Sequence, residues 1–337
     1  MNYYDEDFQP WEIVGGQCVI ADESQWQKID NVVDNYFDKL YLHNPGGAKI
    51  GERPKRPIVK LTTDIFEEYK GGRDEDGTMY CNHTGEELSV NQNGHVWPAG
   101  WPSMSDGDDW GIRSYTIADV LDRFFYTADS TPHVDYLVPT LFPDLINRKW
   151  KAPPQFSKGG DRKRSNVILA TYVETQSDIE RLVPELLKCH DLCKGLAVVC
   201  NPKEELDFSD ILGIEIDRDG SWRRESKFGG MSQQPVNLII AEGNEHPIHP
   251  DWLRSLREQC LNANVPFHFA GWGECRPAIQ GDPVNLSAPM MAMHPSGKVY
   301  EDDELLPKGE GVEIVHRVGK DESGRLLDGQ EHNGRVS

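Results

Sequence analysis

From residue 114 to residue 275, short unbroken apolar runs alternate with longer stretches in which apolar residues recur every three or four positions. The second kind of spacing puts one side of a helix against a core, and the first suits a strand covered on both faces. "SYTIADVLDRFFYTA" predicts a helix with Ile117, Val120, Leu121 and Phe124 on one side, and "HVDYLVP" predicts a strand. A short helix is expected around Phe142 to Lys149, then the strand "NVILATYVE", then a helix from Ser177 carrying Ile179, Leu182, Val183, Leu186 and Leu187. "GLAVVCN" reads as a strand, "EELDFSDIL" as a short helix, "VNLIIAEG" as a strand, "HPDWLRSLREQCLNA" as a helix and "VPFHFAGWG" as a last strand.

The first hundred residues carry a weaker beat. "QCVIADESQWQKIDNVVDNYFDKLYL" predicts a short strand, a turn capped near Asp22 or Ser24, and a helix with Ile29, Val32, Val33, Phe37 and Leu40 inward. Ile58 to Leu61 suits a strand. Residues 70–110 are rich in Gly, Asp, Asn and His without either period, and a connection that long is expected to be an insertion with a function or with mobility.

Alternating strands and helices predict a parallel sheet covered by helices. With six to eight strands in series and no G-x-G-x-x-G after the first, the expected fold is α/β, specifically a partial (β/α) barrel with an irregular N-terminal insertion. The division expected is 1–110, a divergent N-terminal part with the insertion; 111–275, the regular units; and 276–337, an extension folding back on the barrel. In such folds the chemistry lies just beyond the carboxyl ends of the strands. That rule selects Glu174, Cys200, Asn201, Glu242, Asn244, His268, Trp272 and Glu274. Glu174, Glu242 and His268 are candidate acid–base or ligand-anchoring groups, and Cys200 is either a nucleophile or part of the wall. A cysteine on an apolar strand is ordinarily a small buried hydrophobe. His268 faces opposite to Phe267 and Phe269, and the alternation alone leaves open which of them points inward.

Charge and composition narrow the functions. The 337-residue chain carries a formal net charge of −21, which repels phosphate backbones over a broad face. The basic stretch Asn147 to Arg164 has seven Lys or Arg against one Asp and reads first as a solvated loop. Seven cysteines without a dense framework favour reduced thiols. No apolar run is long enough to span a membrane, and the start "MNYYDEDFQP" lacks the basic region of a signal peptide, so a cytoplasmic location is expected. "KCHDLCKGLAVVC" places Cys189 and Cys193 one helical turn apart, which suits packing better than a zinc knuckle. "CNHTG", with Cys81 and His83, lacks a second half. Walker, G-x-S-x-G and H-E-x-x-H motifs do not occur.

Several phrases together resemble a phage and prophage protein family with a radical-SAM-like barrel and a three-cysteine motif. "VNLIIAEGNEHPIHPDWLRSLREQCLNANVPFHFAGWGE" is similar to that family's strand, "HPDW" helix and "QWGEW" strand end. "PSMSD" (Pro102 to Asp106), Val173–Glu174, the strand ending at Cys200 and the tail "VHRVGKDESGRLLDGQEHN" also fit, so the resemblance spans about residues 100–335. It implies a radical-SAM-like barrel and adds Ser105, Asp106, Lys320 and Arg325 as ligand-binding positions. Radical chemistry in such a barrel needs three thiolates holding a 4Fe–4S cluster. Here the early region offers only Cys18 and Cys81, and the family's Gly-Gly-Glu and its Lys before "QWGEW" are replaced by Ala241, Glu242, Gly243 and by Ala270. The chain therefore reads as a degenerate member, for which neither a 4Fe–4S cluster nor SAM (S-adenosylmethionine) nor a metal is expected.

Two functions follow. One is a phage-encoded, non-radical transferase-type enzyme of the host bacterial cytoplasm, acting on a nucleotide or on a modified base in nucleic acid. The other is a catalytically inactive barrel that binds a host or phage protein. Neither needs a membrane.

Overall fold

The computed structural model describes residues 6–8, 12–14, 17–19, 58–61, 64–66, 72–73, 79–80, 87–90, 96–98, 117–150, 163–216, 222–224, 236–278, 288–301 and 311–336. It divides into two compact units: an N-terminal unit of Tyr4–Thr140 and Lys149–Asn166, and a C-terminal unit of Met1–Tyr3, Leu141–Arg148 and Val167–Ser337. Both mix helices with parallel strands, so the fold is α/β.

In the N-terminal unit, β1 (Glu6–Phe8), β2 (Ile58–Leu61) and β3 (Asp135–Thr140) run parallel side by side. Helix α1 (Ile117–Ser130) buries Leu121, Phe124, Phe125 and Ala128, and Phe124 meets Tyr136 of β3 edge-on at 5.6 Å. At the carboxyl ends, Asp64 accepts from Thr140 Oγ1 at 2.9 Å and from the Phe66 N–H at 3.0 Å. The 70–110 stretch holds structure that its composition does not announce. Gly72–Arg73, Met79–Tyr80, Glu87–Val90 and Val96–Pro98 form an antiparallel sheet. Strands of two to four residues are too short to display an alternation. The helix expected over Ile29 to Leu40 lies outside the described residues.

Arg164, one end of the basic stretch, is no solvated charge. It is buried, forms a two-pronged ion pair with Asp129 at 2.9 and 3.0 Å, and lies 4.2 Å over the Phe125 ring. Helix α2 (Pro143–Lys149), all but Lys149 in the C-terminal unit, buries Pro143 and Ile146.

The C-terminal unit carries the regular beat. Its strands β4 (Arg164–Val173), β5 (Cys193–Cys200), β6 (Leu238–Glu242) and β7 (Phe267–Gly271) lie in that order, with residues 164–166 belonging to the other unit. β5, β6 and β7 pair in parallel. Helix α3 (Gln176–Leu187) starts at a capping box: Thr175 Oγ1 accepts from the Asp178 N–H, and the Asp178 carboxylate accepts from the Thr175 N–H. Helix α5 (Pro250–Ala263) starts from "HPDW" for physical reasons. His249 Nδ1 accepts from the Asp251 N–H, Pro250 needs no donor in the first turn, and Asn264 closes the helix in the left-handed region at φ 55°.

Two local expectations are corrected. The helix expected over "EELDFSDIL" is only one turn, α4 (Ser209–Leu212). The lead-in is held differently: the buried Gln259 amide accepts from the Phe208 N–H at 2.7 Å and donates to Leu206 O at 2.9 Å. Cys189 and Cys193 do not share a helix face either. α3 stops at Leu187, a 3-10 turn covers His190–Leu192, and Cys193 already begins β5.

Beyond β7 the chain builds an antiparallel sheet in the order β8 (Cys275–Pro277), β11 (Glu313–Arg317), β9 (Met290–Met293) and β10 (Val299–Glu301). Helix α5 grips it through Trp252 Nε1, which donates to Pro295 O at 3.0 Å, and His249 Nε2, 2.8 Å from Gly311 O. After the short helix α6 (Lys320–Ser323), the chain returns and residues 332–334 run back along β7. The Phe269 N–H donates to His332 O and the Gly334 N–H to Phe267 O, both at 3.0 Å, while His268 and Asn333 pair as an antiparallel bridge. Among the described residues, no helix is long and apolar enough to cross a membrane.

Candidate functional site at the strand ends

The faces of the C-terminal strands are told apart by what they pack against. Val173, Val198, Cys200, Ile239, Ala241, Phe267 and Phe269 belong to one buried cluster with Ile179 and Val183 of α3 and Trp252, Leu253, Leu256 and Cys260 of α5. Neighbouring residues of a strand point to opposite faces. Glu242 and His268 are therefore on the face turned away from α3 and α5, which settles the orientation that the alternation of Phe267, His268 and Phe269 leaves open.

Register then aligns the strand ends. The Asn201 N–H donates to Val173 O at 2.9 Å, which sets Asn201 beside Glu174. Cys200 pairs with Ala241, so Asn201 also stands beside Glu242. Glu174, Asn201 and Glu242 thus form a row across three adjacent strands. His268 pairs with Ile240, one layer deeper on the next strand. A strand spacing of about 4.8 Å and a rise of about 3.3 Å per residue put the Cα atoms of Glu242 and His268 roughly 8 Å apart, near enough to engage one ligand. Glu242 is half-buried at the rim and His268 is buried.

Glu174 comes with a partner that the strand-end rule does not select. Lys203 Nζ forms an ion pair with its carboxylate, and the Lys203 N–H donates to Glu174 O at 2.9 Å. Glu204 caps α3 by accepting from the Gln176 N–H at 2.7 Å. On the far side of the row, two loops press together. A Cβ on Gly243 would stand 2.1 Å from Trp272 O, and one on Gly273, at φ +72°, 2.2 Å from Asn244 O. Only glycine fits so close a backbone crossing.

The other candidates go elsewhere. Cys200 is fully buried against the helices, and burial, with Cys260 and Glu242 nearby, pushes its thiol well up. It is wall. Trp272 is buried, donating from Nε1 to Leu326 O at 2.9 Å and from its N–H to Gly324 O at 3.2 Å. Asn244 is exposed and closes its own turn by accepting from the His246 N–H at 2.8 Å, and its carbonyl accepts from the Glu274 N–H at 2.7 Å. Glu274 Oε2 is 3.5 Å from Arg317 Nη1. Lys320 is exposed on α6, and Arg325 donates to Asn333 Oδ1 within the tail. Ser105 and Asp106 lie outside the described residues, as do Cys81 and His83.

Five cysteines have described side chains, Cys189, Cys193, Cys200, Cys260 and Cys275; all are buried, and burial raises the thiols of Cys189 (to about 11), Cys200, Cys260 and Cys275, as for cysteines packed as small apolar groups. Among the described residues, no three His, Cys, Asp or Glu side chains converge as metal ligands would.

These features define an α/β protein whose carboxylates, carboxamide and imidazole gather at the carboxyl ends of parallel strands. Residues 98–335 match the model of a family described as protein of unknown function (DUF5131), and the chain belongs to that family. No curated protein and no solved structure matches the chain.

Proposed function

We propose that the parallel strands belong to a partial, radical-SAM-like (β/α) barrel that works without a cluster, and that the strand-end row is the site of a non-radical, transferase-type enzyme acting on a nucleotide or a modified nucleic-acid base. The observation that carries this reading is the placement of Glu242 and His268 on the face of adjacent strands turned away from α3 and α5, with Asn201 and Glu174 alongside. Glu242 at the rim and His268 beneath it are the acid–base pair, Asn201 offers a carboxamide to a base edge, and Lys203 fixes Glu174 as an anchor. The resemblance to a phage family supplies the substrate class and the host cytoplasm as setting.

A specific observation favours a second reading, a catalytically inactive barrel that binds a host or phage protein: the tail packs on β7 and holds Trp272 at its end. Calorimetric titration of nucleosides, nucleotides and modified bases separates the two. The enzyme reading expects saturable binding of one ligand, weakened at least about tenfold in Glu242→Gln. A folded wild-type chain that binds none of these ligands would overturn it in favour of the second.

A further inference from the structure

We infer that the C-terminal unit has a second ligand site, a cavity at the amino end of β7 that takes a small molecule with a flat apolar body and an anionic head. The cavity, about 570 Å³, lies at the opposite end of β7 from the strand-end row and is within the roughly 300–1,000 Å³ range of small-molecule sites. Leu261, Val265 and Phe267 give it an apolar wall, and Arg257, Asp328 and His332 give it polar groups.

The apolar wall has no internal explanation at Leu261, which is 76% exposed while the rest of the apolar side of α5 is buried. A ligand body lying between Leu261 and Phe267 would cover it. The cations of the site are Arg254 and Arg257. Asp328 accepts from Arg254 Nε at 3.0 Å, from Arg254 Nη2 at 2.8 Å and from Arg257 Nη1 at 3.0 Å, so one carboxylate serves two guanidinium groups. Arg254 has a second partner in Asp251 at 2.6 Å, whereas Glu258, itself well exposed, comes only to 3.9 Å from Arg257 Nη2. Arg257 is thus the cation with donors to spare for a carboxylate or sulfonate.

His332 adds to the argument. Its ring meets Phe267 edge-on at 5.6 Å, which extends the wall of the cavity with a second aromatic ring. Burial and the nearby Arg257 hold its imidazole below the usual range, so at neutral pH it is uncharged and offers no cation beside Arg257. The frame is built for the purpose. Leu327 and Gln330 exchange backbone hydrogen bonds of 3.0 and 3.1 Å around Asp328 and Gly329, both at positive φ, a two-residue hairpin that aims Asp328 at α5.

Calorimetric titration of the full chain with 1-naphthoate and with uncharged 1-naphthamide tests the inference. The wild type is expected to bind one naphthoate at least about tenfold more tightly than the amide, the increment of one charge-assisted contact. Leu261→Asp should weaken both ligands by at least about tenfold, and Arg257→Gln should abolish the difference between them. Leu261 is not itself a member of the Arg254–Asp328–Arg257 network, so the test survives if Arg257→Gln loosens the tail. Absence of saturable naphthoate binding would overturn the inference. So would an unchanged affinity in Leu261→Asp, or an equal loss in Tyr126→Ser, which removes an exposed ring on the other unit.

Discussion

The two faces of the strands in the C-terminal unit are made from the same runs of residues and serve opposite ends. Toward α3 and α5, "AVVC", "LIIA" and "FHF" present Val198, Cys200, Ile239, Ala241, Phe267 and Phe269 to one continuous apolar cluster. Away from the helices, the same strands end in Asn201 and Glu242 with His268 below. Core and strand-end row are separated by a shift of one residue. Cys200 and Asn201 are neighbours in sequence, yet the first is core and the second stands in the row with Glu174 and Glu242.

Reactivity should expose that separation most sharply. Because Cys200 is buried and its thiol raised, it is expected to react with a thiol reagent at pH 8 more than about a thousandfold slower than free cysteine, and to catch up only on unfolding. Rapid labelling of Cys200 in the folded chain, read by mass spectrometry, would erase the distinction between the faces. Phe269→Ala, on the helix side, should cost about 3–5 kcal/mol in denaturant unfolding. A loss below about 1 kcal/mol would mean that the apolar cluster does not carry the unit.

Asp178→Asn should cost about 1 kcal/mol at neutral pH through loss of the capping box. Burial pushes the Asp178 carboxyl up, but hydrogen bonds from the Glu174 and Thr175 N–H groups, the Thr175 hydroxyl and Arg181 outweigh it and hold it below the usual range. A carboxyl depressed in the folded state stabilises above its unfolded value near pH 4 and loses that contribution as pH falls through the folded value. The difference between wild type and Asp178→Asn should therefore shrink below about pH 4, followed by thermal melts across pH 2–7. Smallest of all should be the stability change in Glu242→Gln, within about 0.5 kcal/mol, since it alters a rim residue and leaves the packed face intact. A larger loss would make Glu242 structural.

Much of this was legible in the residues. β2 spans Ile58–Leu61 as its apolar run predicts, and the strands and helices from 117 to 271 follow the alternation of periods. The strand-end rule selected Glu174, Asn201 and Glu242, which register aligns. It selected Cys200 as well, because a rule about the end of a strand says nothing about which face a residue takes. For His268, two phenylalanines fix the relative orientation, and only their packing on α5 supplies the absolute one. The Lys203–Glu174 pair and the two arginines on Asp328 were missed, although Arg254 and Arg257 stand one helical turn apart and "DG" is a turn signal. Long-range ion pairs leave no period in a sequence.

The backward run of residues 332–334 along β7 has a consequence for biosynthesis. A parallel strand at the rim of a sheet presents unpaired N–H and C=O groups that invite another chain. Here that rim is closed by a segment that leaves the ribosome well after β7 itself has emerged. Until then the nascent chain carries an open template for pairing with its neighbours on the same messenger, and chaperone demand should peak in that interval.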